Sequence, residues 1–345
     1  MNKPPFRKAT IQEVAALAKV SIATVSRALS KPHKVSDKTR ALVMEAVKST
    51  GYTVNEAARN LRLQQTGTIV ILAPNIGGSM YSNVIEAIEK VFAANNISVL
   101  IANTRTPSMS SITTQNYFSQ NKVDGMIILD GMMPLDVLLA SQNLPPIVLA
   151  GDWSKRSDLP VTGIDDIAGV KVAVNHLYDL GHRNIGQVTG PLMHMAAKNR
   201  SDGFHEALKE LDCKPEEAWQ FEAQFLMASG KAAAHNWFAL PPAKRPTGVF
   251  CAADKLAFGF ISTLNKLGVN VPQEVSVVGY DNVTVAEYFI PALTTIHQPR
   301  GALGALAATT LLSIMQNSQP QQSALITPYL IRRESTCPPA NHFHG

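Results

Sequence analysis

Residues 10–36 read TIQEVAALAKVSIATVSRALSKPHKVS, and the middle of that stretch poses the question. Ser21, Ile22, Ala23, Thr24, Ser26 and Arg27 stand together, small and hydroxylated, between basic flanks. A core helix carries larger apolar residues and a solvated one carries Glu and Lys, so this face is built to meet something else. Thr10 to Glu13 form a capping box, and Ile11, Val14, Ala15, Leu17 and Ala18 follow at helical spacing. Lys19 and Val20 make a tight turn, after which Ser21 caps a second helix over 22–29, with Val25, Ala28 and Leu29 inward. Pro32 stops it. Ser36 caps a third helix through residue 50, with Leu42, Val43, Ala46 and Val47 inside and Gly51 beyond its end. Two short helices joined by a turn and braced by a third predict a helix-turn-helix.

The spacing puts Ile22, Ala23, Ser26 and Arg27 on one outward face of the second helix. Small residues there let the helix descend into a major groove about 12 Å wide. Arg27 can fork onto guanine O6 and N7, and Ile22 and Ala23 can touch thymine methyls. Hydroxyls and helix N-termini suit phosphates.

Charge points the same way. Residues 1–66 hold 12 Lys/Arg against 4 Asp/Glu, while the remainder holds 19 against 22. The whole surplus of the 345-residue chain, +5 overall, therefore sits in its first fifth. A basic head on a slightly acidic body is the footprint of a nucleic-acid-binding module joined to something else. After Gly51-Tyr52, Asn55 can cap a short helix carrying Ala57, Ala58, Arg59 and Leu61. Such a helix is marginal alone, so it is expected to form on DNA, and a Leu beside basic residues suits a minor-groove wedge. A plain linker with an incidental Leu fits the same spacing.

From residue 68 onward, TIVILAP, ISVLIA, DGMIIL, PPIVLAG, NIGQVTG, GVFCAA and VSVVGYD are apolar runs bounded by Gly, Pro or Asp, as buried parallel strands are. Helical patterns at 81–94, 167–180, 200–211 and 255–267 alternate with them. This predicts doubly wound α/β sheets, and about 260 residues is enough for two lobes. Asn75, Asp130, Asp152, Asp254 and Asp281 stand at strand ends, where such sheets bind ligands.

Other classes find little support. No GxGxxG follows a strand and no GxxxxGK[ST] occurs, so no nucleotide cofactor is expected. Gly77-Gly78-Ser79 reads as a strand-to-helix turn, and His342 with His344 make a poor metal pair. No nucleophile elbow is present, so no enzyme is expected. The three cysteines, Cys213, Cys251 and Cys337, are far apart and expected to be reduced thiols, with Cys251 buried in a strand. No run of about 18 apolar residues could span a bilayer. The first residues, MNKPPFRKATIQEV, show no apolar leader segment, so a cytoplasmic, nucleoid-associated protein is expected. A small-molecule receptor of the periplasmic-binding type is the alternative, but it would need no basic head.

These motifs resemble the lactose-repressor/galactose-repressor family of bacterial transcription regulators over residues 10–334, nearly the whole chain. The match rests on TIQEVAALAKVSIATVSRALS, NEAARNL, VDGMII, GHRNIG, the DGF after Arg200, PQEVSVVGYDN and PALTTIHQP. The resemblance implies an all-α helix-turn-helix head (1–54), a hinge helix and linker (55–67) and a periplasmic-binding-protein-like α/β core (68–334); beyond it, residues 335–345, ending PPANHFHG, read as a disordered tail. Lobe one would comprise about 68–162 and 293–325, and lobe two 163–292 and 326–334. It implies a homodimer reading a near-palindromic operator in double-stranded DNA, with base contacts from Ile22, Ala23 and Arg27. Phosphate contacts would come from Thr10, Ser21, Ser26 and Ser36, with Thr24 on the same element. Asn55 and Ala58 would belong to the hinge helix and Leu61 would insert in the minor groove. A nucleoside, nucleobase or sugar effector would lie among Met80, Tyr81, His194, Arg200, Phe225, Asp254 and Asp281. Arg200 with Asp281 would meet its hydroxyls, and Tyr81 with Phe225 would sandwich a ring.

Overall fold

Three capped helices open the chain: α1 (Ile11–Ala18), α2 (Ile22–Ser30) and α3 (Asp37–Thr50). The computed structural model describes residues 9–53, 65–74, 79–105, 122–135, 139, 144–151, 153, 159–214, 216–316 and 323–340. Thr10 closes the reciprocal capping box with Glu13, and Ser21 and Ser36 accept the Thr24 and Thr39 amides. Lys19 (φ 53) makes the turn, and Gly51 (φ 66) ends α3 in the left-handed conformation that glycine adopts without strain. Val14, Ala15, Ala18, Val25, Ala28, Val43 and Ala46 form the head's core. Leu17 and Leu42, expected inside, are instead 55% and 45% exposed. At roughly 100° per residue each lies at the edge of its helix's buried stripe, where the small three-helix core no longer covers it.

The second unit, from Gly67 onward, holds two six-stranded sheets. Lobe one contains β1 (Thr68–Ala73), α4 (Ser79–Ala94), β2 (Ser98–Asn103), β3 (Gly125–Ile128), β4 (Ile147–Ala150) and β5 (Val161–Ile164). Lobe two continues with α5 (Asp166–Asp179), β6 (Ile185–Val188), α6 (Met195–Glu210), β7 (Gln220–Phe221), α7 (Met227–Ala239), β8 (Gly248–Cys251) and α8 (Asp254–Lys266). It is completed by β9 (Ser276–Asp281), α9 (Val285–Tyr288) and β10 (Thr294–His297). The chain then returns to lobe one as α10 (Arg300–Met315) and β11 (Ala324–Ile326), and ends in lobe two with β12 (Tyr329–Ile331).

All seven apolar runs form strands, and Cys251 is fully buried among them. The sheets run β11-β5-β4-β3-β1-β2 and β12-β10-β9-β8-β6-β7, parallel except where β12 meets β10. Both lobes thus share one doubly wound order, with its reversal between β1 and β3 in one and β6 and β8 in the other. That reversal is where open α/β sheets leave a ligand crevice. In lobe one α10 lies so close to α4 that a side chain at Gly304 would stand 2.3 Å from the Val84 carbonyl oxygen.

Two expected boundaries move. Residues 293–297 were assigned to lobe one, but β10 pairs with β9 and β12 inside lobe two, so the crossing falls at 298–299. The disordered tail does not hold for residues 335–340. Ser335 is fully buried; its Oγ donates to the Val277 carbonyl (2.6 Å) and accepts the Thr294 amide (2.8 Å). Cys337 O accepts from Ser276 Oγ and from His182 Nε2, each at 2.9 Å. Residues 341–345 lie outside the described ones.

Candidate functional site

The head presents the face that its spacing predicts. Ile22 is 46% exposed, Ala23 and Arg27 are exposed, and Ser26 and Thr24 are half-buried. Thr10, Ser21 and Ser36 are the N-caps of the three helices. Ser21 Oγ lies 2.9 Å from Thr24 Oγ1 and Ser36 Oγ 2.8 Å from Thr39 Oγ1, so these hydroxyls are held at helix N-termini. Oriented hydroxyls beside free N-terminal amides suit phosphate oxygens. Asn55, Ala58 and Leu61 lie outside the described residues.

Between the lobes is a cavity of about 310 Å³ at the carboxyl ends of the strands. Tyr81, Asp130, Met133 and Trp153 line it from lobe one, and His194 and Met195 from the start of α6 in lobe two. Asp130 Oδ2 accepts from Thr104 Oγ1 at 2.5 Å, with Arg105 Nε 3.8 Å away, and Trp153 Nε1 donates to the Ile128 carbonyl at 3.2 Å. Of the residues expected at the effector, Tyr81 and His194 reach this wall. The side chain of Met80, with Asn75 and Asp152, lies outside the described residues.

The remaining four are absent from the cavity wall. Arg200 is only 2% exposed: its Nε donates to Asp166 Oδ1 (2.9 Å), its Nη1 to the Ala252 carbonyl (2.7 Å), and its guanidinium stacks 4.0 Å from the Tyr280 ring centre. Phe225 is half-buried over Gly190, where an added Cβ would lie 2.4 Å from its ring. Asp281 Oδ1 accepts from Gln298 Nε2 (2.6 Å) and Arg300 Nη2 (3.0 Å). Burial pushes its carboxyl up, against the pull of Arg200 and Arg300. Asp254 was expected on the cleft and is instead fully buried. It accepts the Val283 amide (2.8 Å) and the Thr295 hydroxyl (2.5 Å), which makes it a loop anchor.

Spacing did not single out Arg105, Met133, Trp153 or Met195. Trp153 carried a usable signal, an aromatic just past an apolar run. Among the described residues no His/Cys/Asp/Glu cluster could hold a metal, and no helix is long and apolar enough to cross a membrane.

A model of the lacI family of bacterial regulatory proteins matches residues 10–55, and one of periplasmic binding protein-like domains matches 174–336. The HTH-type transcriptional repressor PurR of Photorhabdus laumondii is 36% identical over 333 residues, 95% of this chain and 96% of that one. The chain belongs to the lacI family. Family membership makes it a DNA-binding transcriptional regulator with a ligand-binding core, not an enzyme. The HTH-type transcriptional repressor CytR of Escherichia coli K12 is 34% identical over 330 residues, again 95% of this chain and 96% of the relative. The lac repressor dimer bound to operator and the anti-inducer ONPF superposes with a TM-score of 0.83 at 28% identity, covering 96% of this lacI-family chain and all of that one.

Proposed function

We propose that this regulator represses catabolic or transport genes as a homodimer on a near-palindromic operator, under the control of a neutral, ring-bearing effector. The observation that carries the DNA half is α2, which offers Ile22, Ala23 and Arg27 to solvent on the basic head. Leu61 is proposed as the minor-groove wedge, with Asn55 and Ala58 on its element. The setting is the cytoplasm, on the bacterial chromosome.

The cleft supports a nucleoside or nucleobase ahead of a bare sugar. Tyr81 and Trp153 give flat walls, methionines adapt to a ring, and Asp130 and His194 supply a few polar contacts. The deeper cluster of Arg200, Arg300, Asp166 and Asp281 is formally balanced, which favours an uncharged ligand.

In vitro selection of DNA with the full-length protein tests the first half. Arg27→Ala should relax discrimination at one base position per half-site, by about 1–3 kcal/mol. Lys38→Ala should at most weaken all sequences alike. An unaltered preferred sequence for Arg27→Ala would remove α2 from base reading. A thermal-shift panel of nucleosides, nucleobases and sugars tests the second, since a ligand at 100 times its Kd stabilises by about 2.7 kcal/mol.

A further inference from the structure

Arg300 stands where helix electrostatics disfavour it. It is the first residue of α10, the end at which the helix dipole repels a cation, and it is nine-tenths buried, where an unpaired guanidinium is costly. Its partner lies in the other lobe. Arg300 Nη2 donates to Asp281 Oδ1 at 3.0 Å, beside Gln298 Nε2 at 2.6 Å. α10 packs on α4 and on β3, β4 and β5 of lobe one, whereas Asp281 ends β9 in the interior of lobe two's sheet. The pair therefore ties lobe to lobe beside the crossing segment 298–299.

The acceptor is itself held in an unusual posture. Asp281 has φ 126 and its neighbour Asn282 φ 50, left-handed conformations that persist only where the surroundings hold them. Arg200 Nη1 lies 3.9 Å from the same Oδ1. A buried ion pair adds little net stability over apolar residues of the same size, and its best-attested use is to select one arrangement over another.

We propose that the Arg300–Asp281 pair is an interlobe latch that sets the ligand-free lobe angle and with it DNA affinity, Arg300 being the positioning residue on the lobe-one side. What releases the latch rests on the reading of Asp281 as an effector contact: a ligand hydroxyl donating to this carboxylate competes with Arg300. A ligand acts only through its different affinity for the latched and unlatched states.

The test uses full-length wild type, Arg300→Met, Asp281→Asn and the double variant, with operator DNA recovered by selection and no ligand present. Operator affinity at one salt concentration, radius of gyration by small-angle scattering and melting temperature are measured for each. Each single variant should change operator affinity by about fivefold or more and shift the radius of gyration. The double variant should go no further than the larger single one, and Arg300→Lys should return most of the affinity. Wild-type affinity and scattering in Arg300→Met, or single effects that multiply in the double variant, would overturn the latch. Should Arg300→Met melt too early to assay, Asp281→Asn alone carries the test: it must change operator affinity and radius of gyration, and wild-type behaviour in it overturns the proposal equally. A separate arm compares thermal shifts from cytidine, hypoxanthine and ribose in wild type and Asp281→Asn. If no shift depends on Asp281, the effector contact fails while the ligand-free arms still decide the latch.

Discussion

Asp254 follows the strand run GVFCAA and opens α8, the place from which a strand-end carboxylate commonly meets a ligand. Burial, then the nearby charge of Asp281, push its carboxyl up to about 7. A carboxyl raised on folding binds its proton more tightly in the native chain than in the unfolded one. Stability from this group is therefore greatest below the ordinary carboxylate range and is lost as pH rises toward 7, by at most about 1.4 kcal/mol per pH unit. Asp254→Asn should flatten that part of the profile of melting temperature against pH between about 4 and 7; an unchanged slope would show that the group is ionised throughout. Spacing placed Asp254 correctly on the chain, but its hydrogen-bond partners, Val283 and Thr295, are 29 and 41 residues away. Arg200 is the same case, since Asp166 and Ala252 reach it only through the fold. The exposure of Arg27 and Ile22 was readable because a local helical pattern does predict which face of a helix meets solvent.

Short elements escaped the sequence for a different reason. β10, TTIH, is four residues long and lies between Pro291 and Pro299, so only pairing with β9 and β12 makes it a strand. The segment 335–340 looked disordered because it runs into the end PPANHFHG, yet the Ser335 hydroxyl and the Cys337 carbonyl complete hydrogen bonds that β9 and His182 leave open. Ending the chain after Glu334 should therefore cost on the order of 3 kcal/mol, several buried hydrogen bonds at about 1 kcal/mol each. Ending it after Ala340 should leave the denaturant midpoint near wild type, and equal midpoints for the two truncations would count against the strap. The strap also carries a pH dependence. Burial lowers the pKa of both His182 and His176, which bond Cys337 O and Thr336 Oγ1. The unfolded chain takes up protons first as pH falls below about 6.5, so this stability is full above that point and drains away in acid. Melting temperature should drop between pH 7 and 5 more in the full chain than in the chain ended after Glu334.

For the whole molecule, charge segregation was legible from composition alone, because counting needs no fold. A dimer brings two basic heads to one operator, so log affinity should fall linearly with log salt, by about 0.9 per phosphate neutralised. A flat titration would speak against the head as the DNA-binding element. The two-lobed order was legible too, through seven apolar runs. Where the chain crosses between the lobes was not, because crossings depend on which edge each strand joins. The polypeptide passes between lobes three times, after β5, after β10 and after β11. Two of these passages are bonded to each other, the Asp165 amide donating to the Ile326 carbonyl at 3.0 Å. A single connecting strand would let two bodies swivel in any direction. Three passages, two of them bonded to each other, act like a door hung on more than one pin: they resist free twisting and sliding of one lobe on the other. What enters the cleft then meets two walls that are already geared to each other, so a push on either is passed to both.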